Sequence, residues 1–225
     1  NNGVFDLKNK EFRNAKPEEY ITRTCGYDLN IRVEEDIDFI KSKLNDVFPI
    51  IQELNYVLQT IASSLNGTNK YELFYIWFGN AANGKGFLEK LISQTFGTTD
   101  NDGYFDSMDI AYLCKNKHQG HANQADPIMA RKKNSLIVMS SENEPGSELK
   151  SSKIKPWCGK DEIQCRQLYS KCFSFIAKFV FILQTNDLPI ISGDDDGMIR
   201  RTRVINFPIK FVDNPVGENQ RKIDR

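Results

Sequence analysis

The chain has 225 residues, 40% hydrophobic and 27% charged, and its 30 basic and 30 acidic side chains cancel to no net charge. That balance suits one large globular domain, or one domain with an appendage, and excludes a surface that is basic or acidic all over. No apolar run approaches a membrane span and no signal peptide opens the chain, while five scattered cysteines (Cys25, Cys114, Cys158, Cys165, Cys172) without a Cys-x-x-Cys pair favour reduced thiols over a disulfide framework.

The chain opens Asn1-Asn2-Gly3 without a methionine and reads as a piece of something longer. Residues 1–33 read as a β-rich lead-in, with Val4–Leu7 and Phe12-Arg13 as a hairpin that Lys16-Pro17 ends. Residues 34–68 read as helical. Ile37, Ile40, Leu44, Val47 and Phe48 fall at helical spacing, Pro49 interrupts, and Leu54, Val57, Leu58, Ile61 and Leu65 resume the stripe before Asn66-Gly67 stops it. The stripe serves packing or, alternatively, subunit contacts in an oligomer.

From Leu73 the pattern becomes strands alternating with helices. Leu73–Phe78 is an apolar strand, Lys85–Phe96 an amphipathic helix, and between them lies Gly79-Asn80-Ala81-Ala82-Asn83-Gly84-Lys85-Gly86. Strand, glycine-bounded loop with lysine, then helix is the phosphate-cradling layout of a P-loop NTPase. The loop amides and the helix start at Phe87 would face the phosphates, with Lys85 as a point charge. The pattern requires Ser or Thr after the lysine, as a Mg²⁺ ligand, and Gly86 stands there instead. A water could fill that place, because Mg²⁺ commonly keeps several.

A short helix over Pro127–Lys132, with Asp126 as N-cap, precedes a second strand, Ser135–Met139. Glu142 follows just past its end, where an acid can hold Mg²⁺ or activate water, and Glu144 lies on the same side by period two. A third strand, Phe179–Gln184, leads to Thr185-Asn186-Asp187-Leu188-Pro189. There Asn186 can hold an attacking water, or Asn186-Asp187 can simply begin a turn. Arg200, Arg201 and Arg203 then precede the apolar run Val204 to Phe207. They suit an arginine finger or a charged edge that resists aggregation. The alternation implies an α/β fold with a mostly parallel sheet whose ligand lies at the carboxyl ends of the strands. Residues 69–212 form this core and 213–225 a C-terminal tail.

Between Lys150 and Lys171 six basic residues stand against two acids, which is either a phosphate-binding surface or a solvated face. Cys114, His118 and His121 are spaced for zinc, but no fourth ligand is evident and a polar loop with a buried cysteine explains them.

The order of phosphate loop, Ser141-Glu142-Asn143-Glu144, Thr185-Asn186-Asp187-Leu188-Pro189 and Arg200-Arg201 resembles the superfamily 3 helicases, more narrowly the helicase domain of poxvirus-type primase–helicases from large DNA viruses and phages. Lys155–Asp161 and Arg166–Tyr169 support it, and Gly3–Leu7 with Pro17–Thr22 resembles the segment preceding the helicase in that family. The resemblance implies an AAA+-like ATPase that uses ATP and Mg²⁺. It implies a ring, usually a hexamer, that moves on single-stranded DNA with duplex ahead, and an N-terminal primase region in the same polypeptide. The setting would be a host cytoplasm or viral replication compartment.

It further implies Lys85 on the phosphates, Glu142 and Asn186 near the attacking water, and Arg201 (or Arg200 or Arg203) reaching a neighbour's nucleotide. A β-hairpin, Ile163–Tyr169 and Cys172–Ile176, would contact DNA with Lys171 at its tip and Lys160 and Arg166 in support. Two departures stand out: Ala81 where glycine is frequent, and Gly86. The alternative reading is a nucleotide-binding assembly module with little or no hydrolysis.

Overall fold

The computed structural model describes residues 2–29, 33–114, 126–140, 146–191 and 195–224. The lead-in opens with Val4–Asp6 (β1) and Glu11–Arg13 (β2), paired antiparallel as the expected hairpin. Arg13 closes it, meeting Asp6 at 3.3 Å and Glu19 at 2.5 Å, and this cation pulls the Glu19 carboxyl down to about 2. The lead-in is tied to the core rather than free of it. Arg23 donates to the carbonyl of Gly103 at 2.5 Å, and Tyr104 OH donates to the carbonyl of Arg23 at 3.0 Å. A Cβ on Gly97 would come within 2.6 Å of the Cys25 carbonyl.

Two helices follow, Glu34–Val47 (α1) and Ile51–Ser63 (α2), broken at Pro49 as the sequence requires. The core then runs Phe74–Phe78 (β3), Lys85–Phe96 (α3), Phe105–Met108 (β4), Pro127–Arg131 (α4), Ile137–Ser140 (β5) and Ser151–Cys158 (α5). Next come Glu162–Cys165 (β6), Phe173–Ile176 (β7), Val180–Thr185 (β8), Asp196–Arg201 (α6) and Thr202–Asn206 (β9). Lys210–Val212 (β10) and Gln220–Lys222 (β11) pair in parallel, so a sheet joins the two sides of residue 212.

Five strands form one parallel sheet in the order β4-β5-β8-β3-β9. Strands β3 and β8 lie inside it, which is why β3 is apolar throughout and β8 is apolar from Val180 to Leu183. Side chains alternate between its faces. Tyr75, Trp77, Met139 and Ile182 join Leu88 and Ile92 of α3 and Leu44, Val47, Leu54 and Val57 of α1 and α2. Phe74, Ile76, Val138, Phe181 and Leu183 join Met129, Trp157 and Met198 of α4, α5 and α6.

The α1–α2 stripe is therefore partly core. Leu44, Val47, Phe48, Leu54 and Val57 are buried, while Phe39, Ile50, Ile51 and Leu65 stay exposed. Among the described residues no helix is long and apolar enough to cross a membrane.

Candidate nucleotide and nucleic-acid sites

The phosphate loop leaves the carboxyl end of β3, the inner strand flanked by β8 and β9. Gly79 N–H donates to the Thr185 carbonyl at 3.2 Å, stitching the loop to the end of β8. Two glycines are needed for close approach. A Cβ on Gly79 would lie 2.3 Å from Asn83 Nδ2. One on Gly84 would lie 2.7 Å from a Val47 methyl, and Gly84 has φ +92°. Ala82 also adopts positive φ, +57°.

The loop is held from two sides. Val47 of α1 presses on Gly84, and Phe48 packs on Phe207 with ring centroids 4.7 Å apart. From beyond β9, Phe207 N–H donates to the Phe78 carbonyl at 2.8 Å and Phe211 N–H to the Ala82 carbonyl at 2.7 Å.

Lys85 is 4% exposed. Its ammonium donates to the carbonyl of Gly79, to that of Asn80 at 3.4 Å and to Asn186 Oδ1 at 3.0 Å. Asn186 reaches it because β8 lies beside β3, with Thr185 paired to Phe78. The Thr185 hydroxyl orders the turn, accepting from Asp187 N–H at 3.1 Å and donating to the Asp187 carbonyl. Asn186-Asp187 thus does begin a turn, and that turn aims the amide at the lysine.

The amides of Asn80, Ala81, Ala82, Asn83 and Gly84 find no acceptor among the described residues, and neither does the buried Asn83 Nδ2. Consecutive unpaired amides ending at a helix start, with a buried ammonium beside them, fit the oligophosphate of a nucleotide. A metal is supported less. A Cβ on Gly86 would meet nothing within 4 Å, so that position has room for a side chain but supplies no oxygen. Glu142 and Glu144 lie outside the described residues, as do His118 and His121 of the zinc alternative. Among the described residues no three His, Cys, Asp or Glu converge.

Arg201 lies at the opposite, amino end of the strands. Thr202 pairs with Phe74, the first residue of β3, whereas the phosphate loop follows Phe78, the last. Four residues of strand, roughly 13 Å at ~3.3 Å each, separate the two levels. Arg201 donates to the Gly197 carbonyl at 3.0 Å and meets Glu72 at 3.5 Å. Arg203 bonds backbone carbonyls of Arg200 and Thr202, and Arg200 is exposed.

The basic stretch resolves into two elements. Lys150, Lys153 and Lys155 lie on or beside α5, where Lys155 meets Asp195 at 2.6 Å and Lys153 donates to the Tyr112 carbonyl at 2.8 Å. The remainder is a hairpin, β6–β7, paired Glu162↔Ile176 through Cys165↔Phe173, shorter than expected: its first strand ends at Cys165 rather than Tyr169, and residues 166–172 form the connecting loop. Lys160 and Lys171 are exposed; Arg166 is half-buried, and its carbonyl accepts from Asp126 N–H.

Strand β4 and helix α5 escaped the sequence reading. Asp106 puts a charge inside β4, and Pro156 sits inside α5; each breaks the pattern by which its element would be recognised. Asp106 is tolerated because Arg131 and Lys132 meet it at 2.8 and 2.7 Å.

A parallel sheet in this order, with a lysine-bearing glycine loop after its inner strand and an asparagine at the end of the next, defines an AAA+-like P-loop α/β fold. The family described as D5 N terminal like matches residues 1–49. The chain is 33% identical over 214 residues to the protein designated helicase L207/L206 of Acanthamoeba polyphaga mimivirus, covering 94% of this chain and 22% of that protein. It is 24% identical over 176 residues to the African swine fever virus protein designated primase C962R, covering 78% and 18%. Both designations are provisional. In fold it resembles the apo C-terminal region of NrS-1, with TM-score 0.55 and 17% identity over 83% of this chain and 41% of that one. By sequence the chain is a relative of the helicase and primase proteins of large DNA viruses, and its resemblance to the superfamily 3 domain of viral primase–helicases holds. It spans about a fifth of those relatives' length.

Proposed function

We propose that the chain is the ATP-hydrolysing core of a helicase acting in viral DNA replication, assembled as a ring, with six subunits as the resemblance implies, and translocating on single-stranded DNA. Its partners would be DNA, further copies of itself and an N-terminal primase region of the same polypeptide. The observation that carries the reading is the Lys85 ammonium, buried against the phosphate loop and 3.0 Å from the Asn186 carboxamide, beside five amides that find no acceptor among the described residues.

Magnesium-bound ATP supplies the phosphoanhydride bond whose cleavage drives movement. The Asn80–Gly84 amides, with Lys85, Gly86 and Phe87 at the helix start, would bind its phosphates. Lys85 would exchange the Gly79 carbonyl for phosphate oxygen, a stronger charge-assisted partner. Asn186, released from the lysine, would hold the attacking water without competing for its proton. Glu142, supported by Glu144, would accept that proton and hold the metal, water standing where Gly86 offers nothing. Arg201, at the amino end of its own sheet and away from its own phosphate loop, would serve a neighbouring subunit's nucleotide, with Arg200 and Arg203 as alternatives. Lys171 at the hairpin tip, with Lys160 and Arg166, would hold DNA phosphates without sequence preference.

The test is DNA-stimulated ATP hydrolysis by the assembled wild type, Lys85→Ala and Gly86→Ser. Wild-type turnover that Lys85→Ala abolishes supports the helicase reading. An assembled wild type without turnover, restored by Gly86→Ser, supports the alternative of a nucleotide-binding assembly module, which the missing side chain at Gly86 favours.

A further inference from the structure

The tip of the β6–β7 hairpin is built around an aromatic residue that the fold itself does not use. Ser170 N–H donates to the Gln167 carbonyl at 3.2 Å, so Gln167–Ser170 is a tight turn with Tyr169 as its third residue. Tyr169 has φ +62°, a conformation that such turns ordinarily give to glycine or asparagine and that is strained for a bulky side chain. Tyr169 is 104% exposed, with Leu168 beside it at 62%. Among the described residues it makes no ring contact and no hydrogen bond. A strained aromatic that packs on nothing adds no stability, so its gain lies with a partner.

The surroundings identify that partner. Lys171 follows two residues later and is exposed. At the tip end of β7, Lys133 from beyond α4 stands over the Phe173 ring, 5.1 Å from its centroid. The loop end of the hairpin therefore carries an exposed aromatic with Lys171 two residues away and a lysine–aromatic pair where β7 begins. Single-stranded nucleic acid presents the complement, unpaired bases on a phosphate chain.

We propose that Tyr169, with Leu168 beside it, is a stacking platform for an unpaired nucleobase, so that the hairpin grips single-stranded DNA by base as well as by phosphate. The inference rests on the DNA-binding reading above and adds base contact to it. It makes the grip indifferent to sequence but dependent on bases being present and unpaired.

The experiment compares full-chain binding to a thymidine oligomer and to an abasic oligomer with the same number of phosphates, by fluorescence anisotropy across a salt series. Wild type is expected to prefer the base-bearing strand by roughly 5–150-fold, the affinity equivalent of stacking one base. Tyr169→Ala should lose that preference and keep the salt slope; Tyr169→Phe should keep both. Lys171→Ala should weaken both strands alike and flatten the slope. Tyr169→Gly should lose the preference while raising the melting temperature, since it relieves the turn. A strand carrying 5-iododeoxyuridine should photocrosslink to the peptide containing Tyr169.

An undiminished preference in Tyr169→Ala, or crosslinking only elsewhere, overturns the proposal. So does a wild type that binds both strands equally, which leaves phosphate binding standing. A wild type that binds neither strand removes the DNA reading as well.

Discussion

Lys85 and Asn186, 101 residues apart, are joined by a 3.0 Å hydrogen bond from the lysine ammonium to the asparagine carbonyl oxygen. The bond couples the phosphate loop to the strand end that would hold the attacking water. Asn186→Ala should leave nucleotide affinity within a few-fold and lower kcat about 10²–10³-fold, the loss typical of one positioned polar group. Asn186→Asp should instead weaken nucleotide binding, because a carboxylate pairs with Lys85 and competes for it. Nucleotide titration and steady-state hydrolysis separate the two effects.

Gly86→Ser should fold without strain, since its Cβ meets nothing within 4 Å. Replacing glycine within the first turn of α3 should add a few tenths of a kcal/mol of stability. Thermal melting checks this, and hydrolysis across a Mg²⁺ titration shows whether the new hydroxyl tightens the metal.

Asp106 ties β4 to the end of α4 through two cations, one of them the nearly inaccessible Lys132. Asp106→Ala should cost about 3–5 kcal/mol, because Lys132 is left as a buried, uncompensated charge. Asp106→Leu combined with Lys132→Met should recover most of that loss. Urea denaturation of the three proteins measures it.

The arginine assignment can be tested in mixed assemblies. Arg201→Ala subunits combined with Lys85→Ala subunits should regain some hydrolysis if the two residues serve one nucleotide from different chains. Arg200→Ala in place of Arg201→Ala decides between the neighbours. Arg200 is exposed, whereas Arg201 is engaged with Glu72 and Gly197, so Arg201→Ala should also lower the melting temperature and Arg200→Ala should not.

Burial pushes the Cys158 thiol up to about 12, against a smaller opposing effect of the Arg201 charge. A raised pKa in the folded chain means its contribution is complete below the ordinary thiol range and is lost as pH rises from about 9 toward about 12. At pH 8 iodoacetamide should therefore modify exposed Cys172 and spare Cys158. Cys158→Ala should lessen the fall in stability above pH 9.

By itself the sequence determined the elements with strong local signals: the inner strands β3 and β8, the helices either side of Pro49, the glycine loop with Lys85, and the β1–β2 hairpin. Each follows from periodicity or turn chemistry within a dozen or so residues, whereas the β6–β7 hairpin was expected only from the family resemblance. Only the tertiary structure decided what crosses between elements. It set Asn186 against Lys85, pressed Val47 and Phe211 onto the loop, and put Arg201 at the opposite end of the strands. Strand β4 was illegible for the same reason: a buried Asp106 contradicts an apolar pattern until Arg131 and Lys132, 25 and 26 positions later, arrive to neutralise it. Local backbone preference is written in neighbouring residues, whereas desolvated charge and backbone close approach depend on partners that only the folded chain supplies.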